Sequence, residues 1–176
     1  MISRYRLAPM DTLLRVMTWV CYAIPLILLA SALSVPPPVR EVLFAVVALV
    51  VALYVGVWFL MRPRAFVITP DTLEIEWPVR RRSIPRSAIV SARVLTKDQL
   101  REELGRIMRI GAGGLWGGFG LATTSKGMHE LWVSRVDRMV LIGCEGRRSL
   151  LVTPEDAERF IAELGPSGSS TRSNSK

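Results

Sequence analysis

Two long uncharged apolar runs open the chain, over residues 16–33 and 42–61, and after Arg62 apolar and polar positions alternate in short stretches. A helix needs ~20 mostly apolar residues to cross a bilayer, because hydrocarbon offers no partner to a backbone N–H or C=O. Both runs are long enough, and Pro36, Pro37 and Pro38 make the connection between them short and stiff. Pro25 inside the first run is tolerated, since neighbouring helices can satisfy the freed carbonyl. The pattern predicts a two-helix transmembrane hairpin within residues 1–61. A competing reading of the first run is a cleavable signal sequence, since Arg4, Arg6 and Arg15 precede it and Ala30-Ser31-Ala32 ends it. It is longer than the usual apolar core of about 7–15 residues in such signals.

Residues 62–164 read as one β-rich domain. Ala65, Phe66, Val67 and Ile68 form one strand, and Leu73, Ile75 and Trp77 alternate with Thr72, Glu74 and Glu76 in a second. Thr69-Pro70-Asp71 supplies the turn. A second hairpin is expected from Pro78 to Arg82, returning through Ser83-Ile84-Pro85, before a strand from Ile89 to Leu95. Leu131-Trp132-Val133, Val140-Leu141-Ile142 and Leu150-Leu151-Val152 are further short strands, the last two joined by a turn at Glu145-Gly146. Thr153 as N-cap, Pro154 at the first helical position and acidic Glu155 and Asp156 predict a closing helix to about Leu164. Its apolar positions Ala157, Phe160, Ile161 and Leu164 share one face. A short amphipathic helix is expected between Thr96 and Arg109, from Leu100, Leu104, Ile107 and Met108 and a capping box of Thr96 with Gln99. Residues 165–176 are mostly polar, with serine and glycine, and predict a disordered tail.

This order of elements resembles the bacterial PH-domain family of small membrane-associated proteins. The residues that carry the resemblance are Ile68, Thr69, Leu73 and Ile75; Ile84-Pro85 with Ile89; Arg109 and Gly111; Gly118-Phe119-Gly120; Leu131-Trp132-Val133; Val140-Leu141-Ile142; and Thr153-Pro154-Glu155-Asp156 leading to Phe160. The resemblance implies a mainly-β PH-like barrel or sandwich capped by a C-terminal α-helix, frequent pairing with transmembrane helices, and no assigned chemistry. Eukaryotic PH domains often hold phosphoinositides on a basic loop between their first two strands. The corresponding Thr69-Pro70-Asp71 has no Lys or Arg, so that use finds no support here.

Charge then sets an expected orientation. The chain carries +8 overall, with Arg4, Arg6 and Arg15 ahead of the first run, Arg62 and Arg64 directly after the second, and Arg40 cancelled by Glu41 between them. The positive-inside rule places both termini and the β domain in the cytoplasm of a bacterial inner-membrane protein. Trp19 and Tyr22 in the first run, and Tyr54, Trp58 and Phe59 in the second, fall at one interface of an antiparallel pair.

Candidate chemistry is sparse. His129, the sole histidine, has no Cys or His at metal-ligand spacing and is expected on a strand surface. Cys21 and Cys144 fall in different parts of the chain and read as small hydrophobes. No nucleophile, cofactor or metal motif appears, so catalytic, cofactor and metal residues are all expected to be none. The basic excess lacks the interleaved exposed aromatics of a nucleic-acid surface. The run Gly111, Gly113, Gly114, Gly117, Gly118 and Gly120 continues into Phe119 to Thr123 as strand, which fits a hairpin rather than a phosphate loop. Leu115 and Trp116 at its tip are candidates for a partner contact or the membrane interface, or for burial under the C-terminal helix. Arg80, Arg81, Arg82 and Arg86, with Arg62 and Arg64, are candidates for anionic headgroups, against a solvated turn. The reading is a non-catalytic, membrane-anchored scaffolding module that pairs with another membrane protein. Anionic-lipid sensing is the alternative.

Overall fold

The computed structural model describes residues 2–105 and 107–165, and of Arg109 the backbone alone. Arg106 and the expected tail over 166–176 lie outside the described residues. The chain opens with strand β1 (Ser3–Arg6), continues into helices α1 (Thr12–Leu33) and α2 (Val39–Gly56), and α2 extends through a π-helical turn, Val57–Met61. Both helices are long and apolar enough to cross a membrane. Most of their side chains are exposed, others are half-buried, and only Leu14, Thr18 and Ala32 are buried.

Two sheets follow. Strands β2 (Ala65–Ile68), β3 (Thr72–Glu76) and β4 (Arg81–Pro85) form an antiparallel meander, and β1 joins its outer edge, pairing Ser3 with Ile68 through Arg6 with Ala65. The second sheet holds β5 (Ile89–Thr96), β6 (Met108–Gly113), β7 (Gly118–Thr124), β8 (Gly127–Val133), β9 (Arg138–Cys144) and β10 (Leu150–Val152), in the order β5-β9-β10-β8-β7-β6. One pair, β10 with β8, is parallel, where the sequence led us to expect antiparallel strands throughout. Helix α3 (Lys97–Leu104) lies between β5 and β6, and α4 (Ala157–Leu164) ends the domain.

The six-stranded sheet is buried on both faces, which explains the unbroken apolar runs of β8, β9 and β10. One face meets the four-stranded sheet and α4 around Phe66, Ile75, Phe119, Val140 and Phe160. The other packs Leu131, Leu141 and Leu151 beneath Leu100 and Leu104 of α3. Trp77 and Trp132 meet edge to face between the sheets, ring centroids 5.1 Å apart, and Arg82 of β4 pairs with Glu130 of β8 at 2.5 Å.

Several expectations are corrected. The helix expected between Thr96 and Arg109 keeps its capping box but stops at Leu104, because Gly105 takes φ 66° and the chain turns into β6. Ile107 and Met108 therefore do not continue its face. The cap of α4 is Asp156, whose side chain accepts from Arg159 N–H at 3.1 Å, and not Thr153. Thr153 is buried, and Pro154 bridges to Leu7. Strand β4 pairs with β3, so the second hairpin is β3–β4 rather than one within residues 78–85. His129 is buried, not exposed on the strand: its Nε2 lies 2.9 Å from Thr124 Oγ1, and Nδ1 meets no partner.

Asp11 joins hairpin and domain. One carboxylate oxygen caps α1 by accepting from Leu14 N–H at 2.8 Å, and the other accepts from Val136 N–H of the domain at 2.7 Å. Removing both acceptors in Asp11→Ala is expected to cost about 1–3 kcal/mol, read as a lower thermal midpoint of the full chain in detergent. Asp11→Asn, which keeps one acceptor oxygen, should fall between. An unchanged midpoint in Asp11→Ala would remove Asp11 from this role. For His129, burial pulls the pKa below its ordinary 6.5. The unfolded chain then binds the proton first, so stability is full above pH 6.5 and falls as pH drops through the window below it. The midpoint of His129→Gln should vary less than that of the parent between pH 7 and pH 5, and parallel profiles would contradict this.

Candidate functional site at the helix–domain junction

The β6–β7 hairpin is glycine-rich for steric reasons. Gly111 and Gly120 face each other across the pair with φ 136° and 130°, and a Cβ on Gly111 would lie 2.3 Å from Phe119 O. Few side chains fit such a bend, so the turn folds tightly, with Gly114 N–H donating to Gly117 O at 3.0 Å. This aims Leu115 and Trp116 at the base of the helical hairpin.

Neither residue is exposed. Leu115 is buried, and Trp116 fits among α1 and α2. Its ring meets Tyr22, Tyr54 and Trp58 edge to face, at centroid distances of 6.1, 6.5 and 4.8 Å. Its Nε1 donates to Tyr22 Oη at 2.6 Å, and its backbone N–H donates to Thr18 Oγ1 at 3.0 Å. The Thr18 hydroxyl also lies 2.8 Å from Leu14 O and 3.1 Å from Gly114 O. Trp116 has φ 58°, the one positive value among described residues other than glycine. A left-handed side-chain-bearing residue costs roughly 1–2 kcal/mol, which these contacts offset. Trp19, Tyr22, Tyr54 and Trp58 do gather at one end of the hairpin, as their positions in the sequence led us to expect.

The six arginines singled out by sequence do not form one patch. Arg62 turns inward, its guanidinium carbon 4.4 Å from the Trp58 ring centre, and burial pulls its pKa below the ordinary value. Arg64, Arg80 and Arg81 line one shallow concavity with Arg4, floored by Glu76 and Trp77. There Glu76 takes Arg4 at 2.8 Å and Arg81 at 3.1 Å, and Arg80 stacks over Trp77 at 4.5 Å. Arg82 is committed to Glu130, and Arg86 donates to Glu163 O and Leu164 O at the end of α4. That is a helix C-terminus satisfied by a cation.

Sequence reasoning passed over Thr18, Asp11 and β1. Asp11 ahead of an apolar run had the form of an N-cap, and Thr18 is a polar residue one turn into that run. Chemistry is thin throughout: among the described residues no three His, Cys, Asp or Glu side chains gather as a metal site. Cys144 is half-buried, and burial, with the Glu130 carboxylate, pushes its thiol up, away from the reactive thiolate.

Two sheets closed by a C-terminal helix, joined to two apolar helices, define a PH-like domain on a helical hairpin. A family model described as a bacterial PH domain matches residues 64–166, more than half of the chain. The chain belongs to that family. No curated protein and no solved structure matches it.

Trp116→Ala is expected to loosen the domain on the hairpin without unfolding it. Limited trypsin digestion in detergent should then cut after Arg64 several times faster, the Arg62–Pro63 bond being resistant to trypsin, while the domain's own thermal transition stays. Equal cutting rates in parent and variant would show that Trp116 does not fasten the two.

Proposed function

We propose that the chain is an integral inner-membrane protein whose PH-like domain, at the cytoplasmic surface with both chain ends, is a non-catalytic scaffold that docks another membrane protein. The lightly guarded edge of β6 carries this reading. A sheet edge presents unpaired N–H and C=O groups, and proteins blunt such edges with charge, proline, bulges or short length. Strand β4 is guarded by Arg81, Arg82 and Pro85, β5 is broken by a bulge between Ile89 and Ser91, and β1 is four residues long. Strand β6, among the described residues, pairs with β7 alone; it has no proline, holds a single charged residue, Arg109, and exposes Met108 and Ile110. An extended segment of a partner can add there as a further strand.

The orientation rests on the basic flanks of the helices and the aromatic ring of residues at one end of the hairpin. The pairing of β1 with β2 supports a retained first helix, since cleavage after Ala32 would strip a strand from the four-stranded sheet. Anionic-lipid sensing through Arg80 to Arg86 has less behind it, because Arg81, Arg82 and Arg86 already hold Glu76, Glu130 and the end of α4.

A partner protein should co-purify with the detergent-extracted full chain near one to one, and Ile110→Lys should abolish its retention with the thermal midpoint unchanged. Arg81→Ser with Arg82→Ser should leave it in place at high salt. Loss with the arginine pair and retention in Ile110→Lys would overturn the β6 reading.

A further inference from the structure

We propose that the groove between α1, α3 and β6 seats one anionic phospholipid of the surrounding leaflet, its phosphate held by Lys97 and Arg101 and an acyl chain laid along α1. This rests on the integral-membrane reading above and adds to it a discrete ligand site. The groove has a volume of about 620 Å³, within the usual ~300–1,000 Å³ of small-molecule sites. Its walls are apolar: Leu13 and Met17 from α1, Leu100 from α3, and Met139 from β9.

The charge of the rim follows from helical spacing. Lys97, Leu100, Arg101 and Leu104 recur at i, i+3, i+4 and i+7, so the two leucines pack against the sheet while the two cations flank the opening. Among the described residues neither Lys97 nor Arg101 forms an ion pair, and both are exposed. Among the described residues Asp98, Glu102 and Asp11 form no ion pair with either cation, and Glu103 is paired with Arg93. Two cations above an apolar trough complement an amphiphile with an anionic head.

Continuity with the helix surface selects a lipid over an acidic peptide. Leu13, Met17, Val20, Ile24 and Ile27 are all exposed and spaced by four, three, four and three, forming one apolar stripe that runs from the groove up α1. An acyl chain can follow that stripe from groove to hydrocarbon, and the groove opens at the first turns of α1, where a span meets the headgroups. A hydrophilic peptide gains nothing from the stripe.

The test uses the full chain in detergent, titrated with phosphatidylglycerol or phosphatidylcholine and read by native mass spectrometry. One phosphatidylglycerol per chain should be retained at least about tenfold more strongly than phosphatidylcholine. Lys97→Gln with Arg101→Gln should bring the two lipids level, with the thermal midpoint unchanged, while Arg80→Gln with Arg81→Gln should leave the preference intact. Equal retention of both lipids by the parent, or an undiminished preference in the Lys97/Arg101 variant, would overturn the site. Alkaline carbonate extraction of native membranes separates the two levels. Release into the supernatant would overturn the integral-membrane reading itself, whereas a carbonate-resistant chain without lipid preference would overturn only the groove.

Discussion

A polypeptide that leaves water for an apolar environment must carry its hydrogen bonds with it, and the junction of this chain is built around that requirement. At the start of α1 the free N–H of Leu14 is taken by Asp11. At the end of α2 the helix widens, so that Arg62 N–H reaches back five residues to Val57 O, and Trp77 Nε1 from the domain donates to Met61 O. Thr18 turns its hydroxyl to Gly114 and Trp116 rather than leaving it among leucines. Asp11, Met61 and Thr18 each also bond to the domain, so the residues that finish the helices help to fix the domain on them.

Strain and rigidity follow from the same arrangement. Trp116 adopts a left-handed backbone because the loop must bring both its N–H and its indole to α1 at once. The close Gly111–Gly120 crossing lets β6 and β7 bend far enough to deliver it. The result is a domain joined to its stalk by a strand, a carboxylate and an aromatic cluster, at separate points along the sequence. A domain held this way presents its surfaces at one angle to the helices.

Much of the architecture was legible in the sequence, for identifiable reasons. Long apolar runs have few alternatives, and the alternation in Thr72 to Trp77 or the capping box of Thr96 and Gln99 is local, so the helical hairpin, the β2–β3 pair and the start of α3 could be read directly. The errors share another cause. The end of α3 depended on Gly105 turning left-handed into a strand whose partner, β7, lies beyond it. Asp156 displaced Thr153 as a cap because Thr153 was wanted elsewhere, accepting from Ser134 N–H at 2.9 Å. His129 looked like a surface residue because its partner Thr124 lies across the β7–β8 turn and its neighbours Gly146 to Ser149 are distant in sequence. Of the candidate site, Trp116 and Leu115 were visible as misplaced apolar residues in a glycine loop, but what they touch was not. The arginines were visible as charge, while Glu76 and Glu130, which divide them, are distant in sequence.

Strand β1 is synthesised first and completed late. Its partner, Ala65–Ile68, follows both helices, so the four-stranded sheet cannot close until the whole hairpin has been made. An arrangement with only one helix across a bilayer leaves β1 and β2 on opposite sides of it, and the sheet stays open at that edge. Closure of the sheet therefore doubles as an inspection step: if the helices span a bilayer, a domain with its first strand in place is one whose two helices have both crossed.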